Sequence, residues 1–413
     1  MTEPAIPTPP AALRRSIGLP LLTLYGLGTI LGAGIYVLIG EIAAVAGTAA
    51  PAAFVLAAVL AGLTAFSFAE LSGRIPQSAG EAAYAQAAFG SARLAVLVGL
   101  AVIVVGTVSA ATMLRGFVGY LEVFVSVPEA PVIVLTVLVL SAIAVWGIGE
   151  SLLAAAAVTV VEVGGLIFVL FVARDALGEL PSRWPTLLPS PNLAGLLGVL
   201  SGAFLAFYAF IGFEDMVNIA EEVKEPERTL PRGIVLALVI STVLYFAVAT
   251  VAILAVPVAE LAGSTAPLAV IVESRGLPPE IIAGISLLAV LNGALVQIIM
   301  ASRVLYGLAS QNLLWRGFAY VHPRTRTPAV GTAAVGLALL VLALAFSLGG
   351  LARATSFIAL GIFALVNASL WRIKQRDPAR PAFAIPLAVP VLGLLLSIGT
   401  IVWEALRLAR WIE

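Results

Sequence analysis

The sequence predicts an all-α protein that crosses a membrane many times. Of its 413 residues, 61% are hydrophobic and only 11% are charged, and the mean hydropathy is +1.12. A soluble domain typically carries roughly a quarter charged residues, because water must solvate its surface. The apolar residues also gather in runs of about 20, the length a helix needs to span the hydrocarbon core of a bilayer. Composition and run length together therefore predict a polytopic helical membrane protein.

Eleven spans are predicted from the apolar runs and from the charged, Pro-rich and Gly-rich segments that separate them. They lie near residues 19–45, 50–73, 92–124, 131–148, 151–173, 194–220, 231–256, 278–309, 328–348, 351–371 and 385–406. The Pro-rich segment before the first span has no apolar core followed by a small-residue cleavage site, so it does not resemble a signal peptide. We expect it to be a tail, residues 1–17.

The basic residues predict the orientation of these spans. With the N-terminus inside, 15 of the 22 Lys and Arg residues fall on the cytoplasmic side and six on the outer side. This positive-inside bias predicts a multi-pass protein of the cell (inner or plasma) membrane with a cytoplasmic N-terminus. Eleven spans then place the C-terminus outside, where the basic residues Arg407 and Arg410 fit poorly.

Composition also argues against several kinds of site. The chain has no Cys, which excludes disulfides and thiolate ligands, and its one His, His322, lies between two spans. We expect no cofactor and no metal site. The net charge of zero indicates no nucleic-acid partner, and neither HExxH nor GxSxG occurs at a span end. An enzyme is therefore disfavoured.

Glycines crowd the first span, LYGLGTILGAGIYVLIG, although Gly costs about 1 kcal/mol relative to Ala inside a helix. Small residues at such spacings can let helices pack closely. Alternatively, the segment around Gly32 and Gly34 is unwound and offers backbone groups to a ligand. The sixth span favours the second interpretation, because Gly212 lies 178 residues after Gly34 (212 − 34) and is followed by Glu214 and Asp215.

Two five-helix halves that each open with a Gly-interrupted helix form the repeat pattern of many transporters. We expect a first repeat over residues 18–174, a second over 192–372 and an extra C-terminal helix over 383–413. Sequence spacing alone does not show that the two repeats are inverted.

Four segments, in order along the chain, resemble the amino acid–polyamine–organocation (APC) transporters. They are GLGTILGAGIYVL in the first span, ELSGRIPQSAGEAAYAQAAFG after the second, FYAFIGFEDMVNIAEEVKEPERTLPRGI in the sixth and ASRVLYGLASQNLLWRGFAYVHPRTRTP after the eighth. The resemblance implies the leucine-transporter fold, with a 5+5 inverted repeat plus one extra helix. It also implies alternating access and, most often, an amino acid substrate.

Carried over by position, the resemblance places the substrate on backbone groups of the first and sixth spans. Amides that would face a substrate carboxylate belong to Gly32, Ala33 and Gly34. Carbonyls that would take the α-amino group belong to Ile30, Tyr208 and Ile211. Freed N–H groups favour an anion and freed carbonyls a cation, which agrees with this assignment. Tyr208 also matches the family's gating aromatic, and the alternative is an aromatic that only packs.

Acidic residues inside spans need a reason, since each costs about 2.5–3.5 kcal/mol on insertion scales. Glu162 lies near the middle of the fifth span, where many sodium-independent relatives carry a Lys. It is a candidate coupling residue, either protonatable or cation-binding, and the alternative is a neutral Glu that only joins helices. Glu214 is a candidate for substrate contact or proton transfer, and the role of Asp215 stays open. The eighth span has no adjacent Ser/Thr pair, so we expect no sodium site.

These features predict a secondary transporter for a small molecule, most simply an amino acid permease or exchanger that is proton-coupled. The alternative within transport is an amine, polyamine or other organocation carrier of the same fold. A scaffold without transport activity is disfavoured by the polar groups at both interruptions. The expected partners are the substrate, protons and the lipid bilayer, and the oligomeric state is left open.

Overall fold

A computed structural model describes residues 15–32, 34–77, 80–147, 152–377 and 381–410. Apart from one isolated parallel bridge between Ile17 and Val223, the regular structure of these ranges is helical. The helices of the first half are α1 Leu19–Leu31, α2 Gly34–Ala46, α3 Ala50–Arg74, α4 Gly80–Phe89, α5 Ala92–Leu121, α6 Glu129–Trp146, α7 Leu152–Val172 and α8 Leu180–Arg183. Those of the second half are α9 Leu193–Tyr208, α10 Pro226–Ala255, α11 Val258–Ala262, α12 Pro267–Glu273, α13 Glu280–Ser310, α14 Ala329–Ala345, α15 Leu348–Arg376 and α16 Ala388–Arg410. A 3-10 helix, Phe213–Glu222, follows α9.

Every predicted span contains described helix, and the prediction of an all-α polytopic membrane protein is confirmed. Nine helical stretches of the described chain are long and apolar enough to cross a membrane. One of them, Leu19–Arg74, contains the first two predicted spans, and the shorter apolar helix α14 covers the ninth. Because α10 begins with a charged turn, it starts at Pro226, five residues before the apolar run.

Four short helices in the connections were not predicted, because a search for long apolar runs overlooks them. They are α4, α8, α11 and α12. Of these, α4 packs against α5 and α15 and also reaches the 3-10 helix that follows α9. It therefore connects the loop after the second span with the interior of the bundle.

Aromatic packing holds the sixth span against the second and tenth. The rings of Phe68 (α3), Phe213 (3-10 helix) and Phe363 (α15) lie with centroids 5.2–5.7 Å apart, and two of the three pairs are edge-to-face. Edge-to-face pairs are favourable beyond the apolar area that they bury. By contrast, Leu135 of α6 and Leu395 of α16 expose 64% and 60% of their surface, as lipid-facing side chains do.

Two buried acids tie the tenth span to its neighbours. Glu70 of α3 accepts hydrogen bonds from Arg74, from Lys374 of α15 and from the amide of Ile385. Glu404 of α16 binds both Arg353 of α15 and Arg407. The poor fit of Arg407 to an outer loop is thereby explained, because this residue lies within α16 and its charge is compensated by Glu404.

Candidate functional site

In the first span, Gly32 and Ala33 stand between the end of α1 and the start of α2 in the sequence. Helix α1 ends at Leu31 and α2 begins at Gly34. Gly32 itself has right-handed helical dihedrals, and its amide donates to the carbonyl of Gly28 at 3.3 Å. In this conformation the amide predicted to face a carboxylate is therefore engaged within α1. Ala33, predicted beside it, lies outside the described residues.

The sixth span leaves the α-helical pattern at Tyr208. The amides of Ala209, Phe210 and Ile211 bond to carbonyls three residues back instead of four, so the carbonyl of Tyr208 accepts from the Ile211 amide at 3.1 Å. Gly212 follows with a φ of +130°, a region that side chains other than glycine rarely adopt. The chain then continues as the 3-10 helix.

These two segments contact each other directly. A Cβ atom on Gly34 would lie 2.6 Å from both Cα and Cβ of Ala209, and one on Gly212 would lie 2.4 Å from the carbonyl oxygen of Thr29. The Thr29 hydroxyl donates to the Gly212 carbonyl at 2.9 Å. Backbone meets backbone here, which explains glycine at both positions. The segments around Gly34 and Gly212, 178 residues apart in the sequence, thus lie side by side in the structure.

The hydroxyl group of Tyr245, on α10, lies close to both segments. It lies 2.8 Å from the carbonyl oxygen of Ile30 and 2.9 Å from that of Ala209, within hydrogen-bond distance of both. The ring is fully buried. The Ile30 carbonyl, predicted to take an α-amino group, therefore already has a phenol hydroxyl within hydrogen-bond distance.

Tyr208, the predicted gating aromatic, is buried and bonded to α5. Its hydroxyl lies 3.0 Å from the Ser109 hydroxyl and 3.2 Å from the Ser109 carbonyl. Ile211, whose carbonyl is the third predicted ligand of the amino group, is also buried. The structure thus brings Ile30, Tyr208, Ile211 and Gly34 into one region, and Tyr208 is hydrogen-bonded to α5, the helix of the third predicted span.

Glu162 lies in the middle of α7 and is fully buried. Its backbone carbonyl accepts a hydrogen bond from the Tyr36 hydroxyl of α2. The carboxylate is close enough to interact electrostatically with the phenol groups of both Tyr36 and Tyr245. Glu162 therefore lies beside the same tyrosine that joins Ile30 to Ala209.

A small cavity of about 20 Å³ adjoins the interruption of the sixth span, and we call it the acidic cavity. Its polar lining consists of Glu81, Glu214, Asp215 and Gln297. Glu214 accepts a hydrogen bond from the Gly212 amide at 2.8 Å, and Asp215 accepts one from the Gln297 amide at 3.3 Å. Burial, together with the charge of Asp215, raises the pKa of Glu81 on α4 to about 7.

A larger cavity of about 770 Å³, which we call the vestibule, lies next to the acidic cavity. The two share the side chain of Met300 as a common wall. Polar groups on the vestibule wall belong to Tyr25, Gln86, Asn218, Glu222, Arg303 and Gln311. This cavity is large enough to admit an amino acid-sized molecule and its water.

Two residues of this region were missed by sequence reasoning. Tyr245 stands in the otherwise apolar stretch VISTVLYFAVAT, and a phenol in mid-span was the signal that could have identified it. Glu81 was treated as part of a loop, and no periodicity in GEAAYAQ shows that α4 turns it inward. Its burial is a tertiary effect.

Comparisons with known proteins identify one family of transporters. Residues 17–408 match the family model described as "Amino acid permease". The chain is 30% identical over 408 residues to "Branched-chain amino acid permease BcaP" of Bacillus subtilis, covering 92% of this chain and 85% of that protein. It is 28% identical to "Methylthioribose transporter" of the same organism, covering 95% and 88%.

A plant relative, "Cationic amino acid transporter 3, mitochondrial" of Arabidopsis thaliana, is 30% identical over 388 residues. The match covers 89% of this chain but only 63% of that longer protein. All of these relatives are transporters by name, and none is named as an enzyme. The chain belongs to the amino acid permease family of the APC superfamily.

Proposed function

We propose that this protein is a secondary transporter that moves amino acids by alternating access around the interruptions of the first and sixth spans. The observation that carries the proposal is the direct contact of Gly34 with Ala209 and of Gly212 with Thr29, among buried residues and next to the acidic cavity, which Ile211 lines. Non-helical backbone at membrane depth is tolerated where protein buries it or where it lines a cavity. In transporters it commonly forms the binding site.

The proposed substrate poles are the backbone groups named from the sequence. The α-carboxylate meets the amides of Gly32, Ala33 and Gly34, and the α-amine meets the carbonyls of Ile30, Tyr208 and Ile211. Because the Gly32 amide donates to Gly28 in this structure, binding requires that one helical hydrogen bond opens. Its length of 3.3 Å puts it beyond the usual range for N–H···O bonds. We therefore expect this bond to open at little cost.

The test is uptake of radiolabelled amino acids into proteoliposomes, preceded by a thermal-shift screen that finds ligands through their stabilisation of the folded state. Branched-chain and cationic amino acids, and methylthioribose, are the first probes because relatives carry those names. Amino acid methyl esters and simple amines should compete poorly, since both substrate poles are needed. The proposal fails if no amino acid is transported by folded protein that is reconstituted in a sealed bilayer.

A second candidate is a carrier of amines, polyamines or other organocations, and the acidic cavity favours it. Three carboxyl groups line this cavity next to Ile211. The acidic cavity itself is too small for such a molecule, so a cationic substrate without a carboxylate would lie in the neighbouring vestibule, attracted by these acids, and leave the Gly32–Gly34 amides unused. Putrescine competing better than any amino acid would decide for this candidate.

We further propose that Glu162 couples transport to protons. The supporting observations are the hydrogen bond from Tyr36 to the Glu162 carbonyl and the electrostatic interaction of Glu162 with Tyr245, whose hydroxyl lies within hydrogen-bond distance of the Ile30 and Ala209 carbonyls. A change in the charge of Glu162 would act on the tyrosine that joins the two interrupted segments. Burial in a low-dielectric site makes the neutral form of a carboxyl group accessible near neutral pH.

Glu162→Gln should retain substrate binding but lose substrate-driven proton movement, measured with a pH dye inside proteoliposomes. Glu162→Lys should give exchange without proton movement, because it restores the charge common in the family. Glu280→Gln, at the start of α13, is a matched control that should retain proton movement. Proton flux that persists in a transport-competent Glu162→Gln protein would assign the coupling to another acid.

The proposed topology has a cytoplasmic N-terminus, two repeats over residues 18–174 and 192–372, and an extra helix over 383–413. The absence of Cys from the chain makes this directly testable, because single cysteines can be introduced without background labelling. Gln311→Cys, on the vestibule wall, should react from the cytoplasm, and Ser190→Cys, before α9, from outside. The reverse pattern would invert the topology.

A further inference from the structure

The acidic cavity carries an excess of negative charge that its own walls do not balance. Glu81 comes from α4, Glu214 and Asp215 from the 3-10 helix, and the remaining lining side chains that the structure describes are apolar or neutral. Glu81, Glu214 and Asp215 expose only 4%, 8% and 3% of their surface. Like charges that share a low-dielectric site cannot all stay ionised, so this site must take up positive charge.

The size of the cavity indicates which positive charge it takes. A volume of about 20 Å³ holds about one water molecule, for which roughly 10–15 Å³ is needed. It does not hold the four methylenes and the ammonium of a lysine side chain. A proton, bound to a carboxyl group and relayed through one water, fits the available space.

Gln297 supplies an independent indication of a missing ligand. Its side chain is 6% exposed and its Nε2 donates to Asp215, but its Oε1 has no hydrogen-bond partner among the described residues. A buried amide oxygen without a partner is costly. A protonated carboxyl group, or a water that receives a proton from one, would donate to such an acceptor.

Titratable and charged groups occur on α4 itself and on the elements packed against it. From the 3-10 helix come Glu214 and Asp215, and from α4 itself comes the Tyr84 phenol. The basic residues of α15 act at the far end of α4, where Arg372 lies over the Phe89 ring and Arg376 donates to the Ala88 carbonyl. Helix α5 carries Arg93 in its first turn, and α13 presents the neutral Gln297.

Glu81 lines the acidic cavity from a helix that also lines the vestibule. The next residues of α4, Ala82 and Ala83, line the vestibule, and Gln86 lies one turn further along the same wall. Met300 separates the two cavities from the α13 side. Glu81 is thus next in sequence to a vestibule-lining residue, whereas Asp215 lies three residues before Asn218, the first vestibule-lining residue of its own helix.

We propose that Glu81 is the group through which the acidic cavity exchanges a proton with the vestibule, with Asp215 as its neighbour in the cavity. The role in transport rests on the function proposed above, whereas proton binding at Glu81 does not. When the vestibule is open, water delivers or removes the proton at Glu81. No covalent bond other than O–H forms or breaks.

The first test measures proton binding without transport. Because burial raises the pKa of Glu81 in the folded protein from its ordinary value of 4.5 to about 7, folded protein binds this proton more tightly than unfolded protein. Its stabilising effect is complete below about pH 4.5 and is lost as pH rises to about 7. The melting temperature of Glu81→Gln minus that of wild type should therefore grow between pH 5 and pH 7 and level off above pH 8.

Glu222→Gln, which removes a carboxyl from the vestibule wall but leaves the acidic cavity intact, is the matched control. Its difference from wild type should stay constant over the same range. A flat difference for Glu81→Gln, equal to that of the control, overturns the proposal. This result is independent of whether any amino acid is transported.

The second test measures the pH dependence of uptake in proteoliposomes. Wild type should show a step near pH 7, Glu81→Gln should lose it, and Glu81→Asp, which keeps an acid, should retain a shifted step. An unchanged step in Glu81→Gln overturns the proposal. If Glu81→Gln instead loses only the uptake of lysine and arginine and keeps the step, the cavity is a subsite for a cationic side chain and the proposal is wrong.

Discussion

Replacing Tyr245 by phenylalanine removes one hydroxyl group and leaves the shape of the core unchanged. That hydroxyl has a single proton, which the carbonyl oxygens of Ile30 and Ala209 share at 2.8 and 2.9 Å. A hydrogen bond of this kind contributes about 0.5–1.5 kcal/mol net. Polar contacts inside membrane proteins average about 0.6 kcal/mol in double-mutant cycles. Since two buried carbonyls lose a partner, we expect Tyr245→Phe to lower the free energy of unfolding by about 1–2 kcal/mol.

The assay is SDS-induced unfolding in mixed micelles, with uptake measured in parallel. Tyr84→Phe is the matched control, because Tyr84 is equally buried and its hydroxyl has no hydrogen-bond partner within the described ranges. Removing that hydroxyl should be neutral or slightly stabilising. Uptake by Tyr245→Phe should fall more than its stability alone explains, because the two interrupted segments lose their common anchor. Equal stability losses in both variants would refute the reasoning.

Two further substitutions test the packing and the ion pairs. Gly34→Leu should insert into the membrane yet abolish uptake, because even a Cβ atom would lie 2.6 Å from Ala209. The control is Gly361→Leu, which should transport normally because a Cβ atom added there has no neighbour within 4 Å. Normal uptake by folded Gly34→Leu would contradict the close contact. Glu404→Ala should lower the free energy of unfolding by about 2 kcal/mol, since two arginines lose charge-assisted hydrogen bonds. Uptake per folded molecule should not change, and a variant as stable as wild type in SDS titration would show that the pairs contribute nothing.

The membrane fold was predictable because a bilayer constrains every span in the same way. Apolar runs must be about 20 residues long and must be helical, so hydropathy alone located the runs in which the described structure has its long apolar helices. The short helices of the connections follow no such rule. Helix α4 is polar enough to be taken for a loop, and only its packing against α5 and α15 turns Glu81 inward.

The candidate site was predictable to the extent that it depends on backbone geometry. Gly34 and Gly212 could be identified because close backbone contact and a positive φ exclude other residues, and such constraints are visible in one sequence. The amide of Gly32 could not be assigned in this way. Its hydrogen bond to Gly28 belongs to one conformation of the chain, and a sequence does not specify which conformation is occupied.

The positions of the acids suggest why the chain tolerates several carboxyl groups in a span region where each is costly. Glu162 lies behind the interrupted segments, next to Tyr245, and the acidic cavity lies beside them, next to the vestibule. A purely structural acid would be expected to have a basic partner, as Glu70 has Lys374 and Glu404 has Arg353. Among the described residues that line the acidic cavity no Lys or Arg occurs. The acids that hold helices together, Glu70 and Glu404, are thus neutralised by basic residues. The acids of the acidic cavity have no such partner in its lining, and we propose that they are neutralised by binding a proton.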